Sequence, residues 1–237
     1  MISVLKVSTV AGLFGAALLA IGTAAPAQAD FSLVTTRAAL GTTDSIDWGQ
    51  LGPESTAPPN PSAVTSTVGI SAIVGKVLPG AFARQDQSSL WAGNFAAGDR
   101  LLWTHDLASS TNNPITLNFG ARGVFGGGAQ IQANFPGDFV ARVTALDVGG
   151  NVLATFTEAG NANDKKDNSA IFIGILSTDP DIHRIALSLA SADGDAIGDF
   201  AINRFDLPIG EPGSLALLGL GVLGLLGYGW RGRQRAV

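Results

Sequence analysis

The residues best spaced to do chemistry are three aspartates in the stretch ADGDAIGD, where Asp193, Asp195 and Asp199 fall within seven residues. Hard carboxylate oxygens gathered on a loop are what Ca2+ takes as ligands, and such an ion would be structural rather than catalytic. The run lacks the D-x-[DN]-x-[DN]-G pattern and closing Glu of an EF-hand, and Asp-Gly is also a common turn dipeptide. Asp179 and Asp181, on either side of Pro180, form a second acidic loop of the same ambiguous sort. Trp48 and Trp91 offer a different chemistry, because both sit in glycine-containing stretches, DWGQLG and LWAGN, that read as loops. An indole on a loop presents a flat apolar body with a polar edge, which suits stacking on a sugar ring. The competing role for both is core packing, since tryptophans are highly buried on average. Trp103, in RLLWTHD, alternates as a strand residue does and is assigned to the core.

Catalytic signatures are missing. There is no G-x-S-x-G elbow, and Gly126–Gly128 reads as a flexible turn because no strand-to-helix pattern follows to make it a phosphate loop. His105 and Asp106 are neighbours whose side chains would leave opposite faces of a strand, so they do not form a dyad. A glycosidase needs two apposed carboxylates, and the 18 acidic residues between positions 30 and 210 single out no pair. The chain has no cysteine and only two histidines, His105 and His183, which excludes thiolate zinc sites and multi-histidine metal centres. Ten basic residues against those 18 acidic ones leave residues 30–210 with eight net negative charges. That balance argues against nucleic acid and anionic membrane surfaces as partners. The expectation is a non-enzyme, with no cofactor required beyond the candidate structural Ca2+; a polysaccharide-active hydrolase or lyase is the alternative.

The elements that must carry these residues read as strands. Patches of Val, Ile, Thr, Leu and Phe recur between Gly, Asn, Asp and Pro clusters, and long helical periodicity is absent. In FVARVTALDVGGNVLATFTEAG, the segments 139–147 and 151–157 are two strands, and Gly149-Gly150 supplies the tight turn of a hairpin. Further strands are predicted at 115–119, 129–133, 171–176, 183–189 and 199–207. The polar run 161–168 reads as an exposed loop, and GPESTAPPNP at 52–61 holds too many prolines for an interior strand. No repeat of 20 to 50 residues is visible. A single all-β domain with one core follows, a two-sheet sandwich with a jelly roll the favoured arrangement.

Both ends read as sorting segments. Lys6 lies in a short positive start, residues 7–21 are apolar, and Ala27-Gln28-Ala29 is an A-x-A cleavage site, so residues 1–29 are a signal peptide and Asp30 begins the mature chain. Residues 214–230 carry no charge, and at ~1.5 Å per residue they extend roughly 25 Å, close to a ~30 Å hydrocarbon core. Gly219, Gly221, Gly224, Gly227 and Gly229 interrupt this run, and each would cost about 1 kcal/mol relative to Ala in a water-soluble helix. A transmembrane helix is the expectation. Arg231, Arg233 and Arg235 follow it and would hold the C-terminus in the cytoplasm with residues 30–209 outside.

The order Glu211-Pro212, Gly/Leu-rich span and terminal arginines resembles the PEP-CTERM sorting tail of Gram-negative exosortase substrates. In place of the usual Pro-Glu-Pro the chain reads Gly210-Glu211-Pro212. The resemblance implies transient anchoring in the inner membrane and cleavage near the motif by an exosortase. Release or transfer to the cell surface would follow, alongside extracellular polysaccharide. A plain permanent anchor is the other reading of the same residues. DSIDWGQLGP and HRIALSLASADGDAIGDFAINRFDLP are similar to the opening and closing segments of exported β-sandwich proteins with this tail. GDFAINRF further resembles the last strand of carbohydrate-binding jelly rolls. The expectation is an exported, glycan-binding or exopolysaccharide-associated surface or matrix protein.

Overall fold

The computed structural model describes residues 29–87, 91–106 and 111–208, and over that range the chain is a sandwich of two antiparallel sheets. The described strands, in order, are β1 (Phe31–Val34), β2 (Thr42–Ile46), β3 (Ser62–Thr65), β4 (Ser71–Gly75), β5 (Ala83–Asp86), β6 (Arg100–Trp103), β7 (Ile115–Asn118) and β8 (Gly126–Ala133). They continue with β9 (Gly137–Leu146), β10 (Val152–Ala162), β11 (Ile171–Ser177), β12 (Arg184–Ser191), β13 (Ala196–Ile197), β14 (Phe200–Ile202) and β15 (Phe205–Pro208). A one-turn helix α1 (Arg37–Leu40) and a 3-10 turn (Trp48–Leu51) complete the regular elements.

Sheet A runs β1-β11-β8-β14-β6-β5, with β15 against β8 and β2 against β15; sheet B runs β10-β9-β12-β7-β4-β3, with β13 beside β12. From β6 to β14 the chain keeps crossing between the layers. Apart from the two-residue β13, this places β6, β14, β8 and β11 opposite β7, β12, β9 and β10. Eight strands wound in that order are the two Greek keys of a jelly roll. Of the other strands, β15 continues the line of β14 along β8 with β2 beside it, while β1, β5, β4 and β3 widen the two sheets at their edges.

Alternation builds the core-facing side of sheet B. In β9 the residues Phe139, Ala141, Val143 and Ala145 are buried, and β12 contributes Ile185, Leu187 and Leu189 to the same interior. The hairpin at 149–150 forms as its sequence predicts, although only Gly150 takes a positive φ, 86°; Asp147 closes the turn by accepting from the Asn151 backbone N–H at 2.8 Å. Its second strand runs to Ala162, so Asn161 and Ala162 belong to β10 and the polar loop starts later than expected.

Sheet A departs from alternation. All eight residues of β8 are buried. Ala129, Ile131 and Ala133 join the main core, while Gln130 and Gln132, on the opposite face, are buried as well. Gly126–Gly128 is therefore interior strand, not a flexible turn. A Cβ on Gly128 would lie 2.6 Å from both the Gly174 Cα and the Ile173 carbonyl oxygen, so the neighbouring backbone dictates glycine there. The outer face of sheet A carries two small apolar clusters of its own, one of Val34, Leu40 and Phe172, the other of Trp91, Phe95, Leu101, Ala170 and Ala201. The single expected core is thus one main core with two satellites. The predicted strand 199–207 is also two, β14 and β15, separated by Asn203 and Arg204.

Candidate functional site

A polar cleft of about 620 Å³ lies over the outer face of sheet A. One wall starts at α1. Thr36 caps that helix by accepting from the Ala39 N–H at 3.1 Å, and Gly41, at φ 65°, ends it after one turn. Leu40 is thereby set against Val34 and Phe172, and Arg37 is turned toward the cleft floor, its guanidinium 5.5 Å from the centre of the Phe172 ring.

Arg37 organises that floor. It donates to the Asp206 carboxylate, to the Asn203 side-chain oxygen at 2.6 Å and to Gln130 Oε1 at 3.2 Å. Asn203 passes the network on, donating to Gln130 Oε1 at 2.7 Å and to Asp99 at 2.9 Å. Gln130 in turn donates to the Ala170 carbonyl at 2.8 Å and to Asn168 Oδ1 at 3.1 Å. Arg204, half exposed at the rim, brings its Nε within 3.1 Å of the second Asp206 oxygen, at ion-pair distance though not aligned as a hydrogen bond.

Burial sets the protonation of this group. It raises the Asp206 carboxyl above its ordinary range, and the neighbouring Arg37 and Arg204 charges pull it only part of the way back. Burial likewise lowers the Arg37 guanidinium, against the opposing pull of Asp206.

Beside the cleft a second network clips a loop onto the same face. Gln132 and Asn94 exchange bonds, the Asn94 N–H donating to Gln132 Oε1 at 2.7 Å and Gln132 Nε2 to Asn94 Oδ1 at 2.8 Å. Asn94 Oδ1 also accepts from the Asn163 N–H at 2.7 Å, and Asn94 Nδ2 donates to Ser169 Oγ at 2.7 Å. Segments 91–95 and 163–169 are therefore held together across β8. Buried amides satisfied in this way rigidify what they line.

The aromatic and acidic residues singled out by sequence go elsewhere. Trp48 is fully buried in the main core, where its indole N–H donates to the Asn203 carbonyl at 2.8 Å. Trp91 is 2% exposed, beneath its own cluster. Neither offers a face to a sugar, which corrects the stacking assignment; the glycine-containing stretches around them fold inward to cover the sheets rather than project. Trp103, assigned to the core, is instead half-buried on the outer face.

Asp193 and Asp195 stand exposed on the turn between β12 and β13, closed by the Ser191 N–H donating to the Asp195 carbonyl at 2.7 Å. Asp199 is 1% exposed, and its two oxygens accept from Trp103 Nε1 and from Asn134 Nδ2. The structure does not bring the three together, and among the described residues no group of three His, Cys, Asp or Glu side chains could hold a metal ion. His105 and Asp106 follow β6 rather than lie in it, with His105 at φ 53°. Asp181 accepts from Ser177 Oγ at 3.0 Å and Asp179 lies nearby in the same turn.

Arg37, Gln130, Asn203 and Asp206 were not legible as a site. The one signal was AQIQA, two amides alternating with buried apolar residues on a strand, which reads equally well as a solvent-facing side.

The residues immediately after β15 decide where the protein belongs. Positions 209–234 match the PEP-CTERM protein-sorting motif. The chain carries a PEP-CTERM sorting motif. The motif marks it as exported and processed at the cell envelope, and implies an exosortase as its processing enzyme. Gly210, Glu211, Pro212, Arg231, Arg233, Arg235, Ala27 and the predicted helix at 214–230 lie outside the described residues. Among the described residues no helix is long and apolar enough to cross a membrane.

No curated protein matches the chain. Among solved structures, a DUF4465 family protein from Bacteroides caccae is 14% identical, with 74% of this chain and 98% of that one covered at a TM-score of 0.37. An isomalto-dextranase from Arthrobacter globiformis, complexed with panose, is 14% identical; 76% of this chain and 32% of that one are covered, at a TM-score of 0.30. The enzymatically active domain of a tailspike protein of bacteriophage CBA120 is 15% identical, with 76% and 19% covered at a TM-score of 0.26.

Proposed function

We propose that this PEP-CTERM protein is a non-catalytic glycan-binding component of the cell surface or extracellular matrix, associated with exopolysaccharide. The observation that carries this reading is the cleft floor: Arg37, Gln130 and Asn203 are locked in one hydrogen-bonded array at the base of a cleft open to solvent. A fixed set of planar donors and acceptors suits a ligand rich in hydroxyl groups, because the ordering cost is met before the ligand arrives. The non-catalytic part rests on Asp99, which lines the cleft with Glu158 but already accepts from Asn203 at 2.9 Å and from the Ala96 N–H at 3.3 Å. Both bonds fall on one oxygen and fix the carboxylate as part of the cleft wall.

The test is binding of the full chain to exopolysaccharide purified from the producing cells, with reducing ends assayed in the same samples. Saturable binding without new reducing ends is the expected result, and Arg204→Ala, at the rim, weakens it by about ten-fold. New reducing ends that vanish in Glu158→Gln would establish the hydrolase instead. Sorting is tested by the intact mass of the C-terminus. A released form ending within residues 210–213 is expected; full-length chain confined to membranes would make the tail a permanent anchor.

A further inference from the structure

We propose that two copies of this chain associate through the open edge of sheet B, β10 of one copy pairing antiparallel with β10 of the other about a two-fold axis at Phe156. Strand edges carry unpaired backbone groups that template further pairing, and proteins ordinarily cover, shorten or charge them. On one side of the sandwich that protection is built in. Its two edges are β5 and β3, each of four residues. The segment after the 3-10 turn bonds along β5: the Ser55 N–H donates to the Arg84 carbonyl at 2.8 Å, the Arg84 N–H to the Thr56 carbonyl at 2.9 Å and the Phe82 N–H to the Pro58 carbonyl at 3.0 Å. Gln50, in the 3-10 turn itself, closes β3. Its Oε1 accepts from the Thr65 N–H at 2.8 Å and its Nε2 donates to the Thr65 carbonyl at 3.0 Å.

The other side has β1 and β10 as its edges. β1 is short, but β10 runs eleven residues, Val152–Ala162, with no proline and with Glu158 as its one charged side chain. Which of its backbone groups are free follows from β9. The Leu146 carbonyl points to β12, accepting from the His183 N–H at 2.9 Å, while the Asp147 N–H points the other way, to the Asn151 carbonyl at 2.9 Å. Backbone groups alternate in direction along a strand, so Val143 and Ala141 bond toward β10, where Phe156 and Glu158 are their register partners. Thr155, Thr157 and Ala159 therefore turn their N–H and C=O groups outward, and among the described residues no other backbone group bonds them there. The same margin is apolar: Phe31 and Leu33 of β1 and Leu153, Ala154 and Phe156 of β10 are only partly buried against the main core.

The occupant is a second copy because this edge is its own complement. A two-fold axis at Phe156 sets Thr155 opposite the second copy's Thr157, both with outward backbone groups, and brings the two Phe156 rings together as a cross-strand aromatic pair. Residues 152–160 then pair over about 30 Å at ~3.3 Å per residue. Glu158 falls opposite Ala154, and the two Glu158 positions stand about 13 Å apart along the strands, so like charges do not meet. The axis is perpendicular to the sheets, which puts both outer faces of sheet A on one side of the pair. Glu158 lines the cleft, so the two clefts flank the axis and one polysaccharide engages both; that consequence rests on the glycan-binding reading, whereas the pairing does not.

The experiment is sedimentation equilibrium of the full chain in detergent, for the wild type, for Thr155→Lys with Thr157→Lys, and for Thr155→Glu with Thr157→Glu, with a melting curve for each. The wild type is expected to be a dimer. Each charged variant sets like charges directly opposite one another and should weaken association at least about ten-fold, with a cooperative melting transition retained because both threonines are exposed. An equimolar mixture of the two variants should restore the dimer, since every lysine then meets a glutamate. A monomeric wild type overturns the pairing and leaves the edge to a strand of another sequence. A dimer that survives in both charged variants overturns it by placing association elsewhere in the chain, and a mixture that stays monomeric overturns the register.

Discussion

The outer faces of the two sheets obey different rules. On sheet B the outward residues of β9 meet solvent, so burial alternates along the strand and Arg142 and Thr144 lie over core-facing Ala141 and Val143. On sheet A the outward residues of β8 are as buried as the inward ones, because α1 and the segments 91–95 and 163–169 roof them over. A bare face tolerates whatever is soluble. A roofed face must satisfy every polar atom and admit no surplus volume, and the cleft is the part of that face the roof leaves open.

The largest effect that separates the faces comes from adding volume. Gly128→Val should cost about 3 kcal/mol or more, a large share of an ordinary domain's stability, because its Cβ would strike the Gly174 backbone. Urea unfolding measures this, and a mild effect would mean that β8 and β11 are not packed as described. Next comes Gln132→Ala, which strips the Asn94 side chain and backbone of two bonds and should destabilise by about 2–3 kcal/mol. A loss no greater than that of a surface residue would show that the 91–95 segment does not roof the sheet.

A pH comparison sharpens the contrast further, because two buried aspartates have opposite signs. Asp206 sits above its ordinary 3.8 because burial outweighs Arg37 and Arg204. The native state then holds its proton more tightly than the unfolded chain does, so its contribution is full below 3.8 and is lost as pH rises through the native value. Asp44 is the reverse. Burial opposes its charge, but the Ser66 and Thr67 hydroxyls and the Val68 and Ser45 N–H groups outweigh burial and hold it below 3.8. Its contribution is present above 3.8 and lost as pH falls through the native value. Unfolding curves across about pH 2–7 should therefore flatten on the acid side in Asp44→Asn, and lose the fall above 3.8 in Asp206→Asn. The same slope in both variants would refute these assignments.

The smallest effect belongs to the bare face. Thr144 and Thr155 face each other at 3.1 Å across β9 and β10, and Thr144→Ala should change stability by no more than about 0.5 kcal/mol. A larger loss would mean that something covers sheet B as well.

Legibility follows the same division. The β9–β10 hairpin and the strands at 115–118 and 184–191 could be read because one-sided burial writes a period of two into the sequence. In β8 burial on both sides erased that period, and three consecutive glycines looked like a turn although each is needed for close approach. Trp48 and Trp91 misled for a related reason. Their local sequence resembles loop, and loops that fold back over a sheet bury their aromatics as a core does. Asp193, Asp195 and Asp199 are close in sequence, but Asp199 lies one residue before β14 and turns inward to Trp103, while the other two stay on a hairpin tip.

What the sequence determined by itself is what depends on neighbours along the chain: strand periodicity, tight turns, and a sorting motif that must be recognised as a linear segment. The tertiary structure alone decided the cleft and the burial of the outer face of sheet A. Arg37 reaches Asp206 across 169 positions and Gln130 meets Asn203 across 73, while Trp103 is fixed by Asp199 from 96 positions away. Contacts between residues so far apart follow from the winding of the two sheets, because only that winding brings their strands side by side.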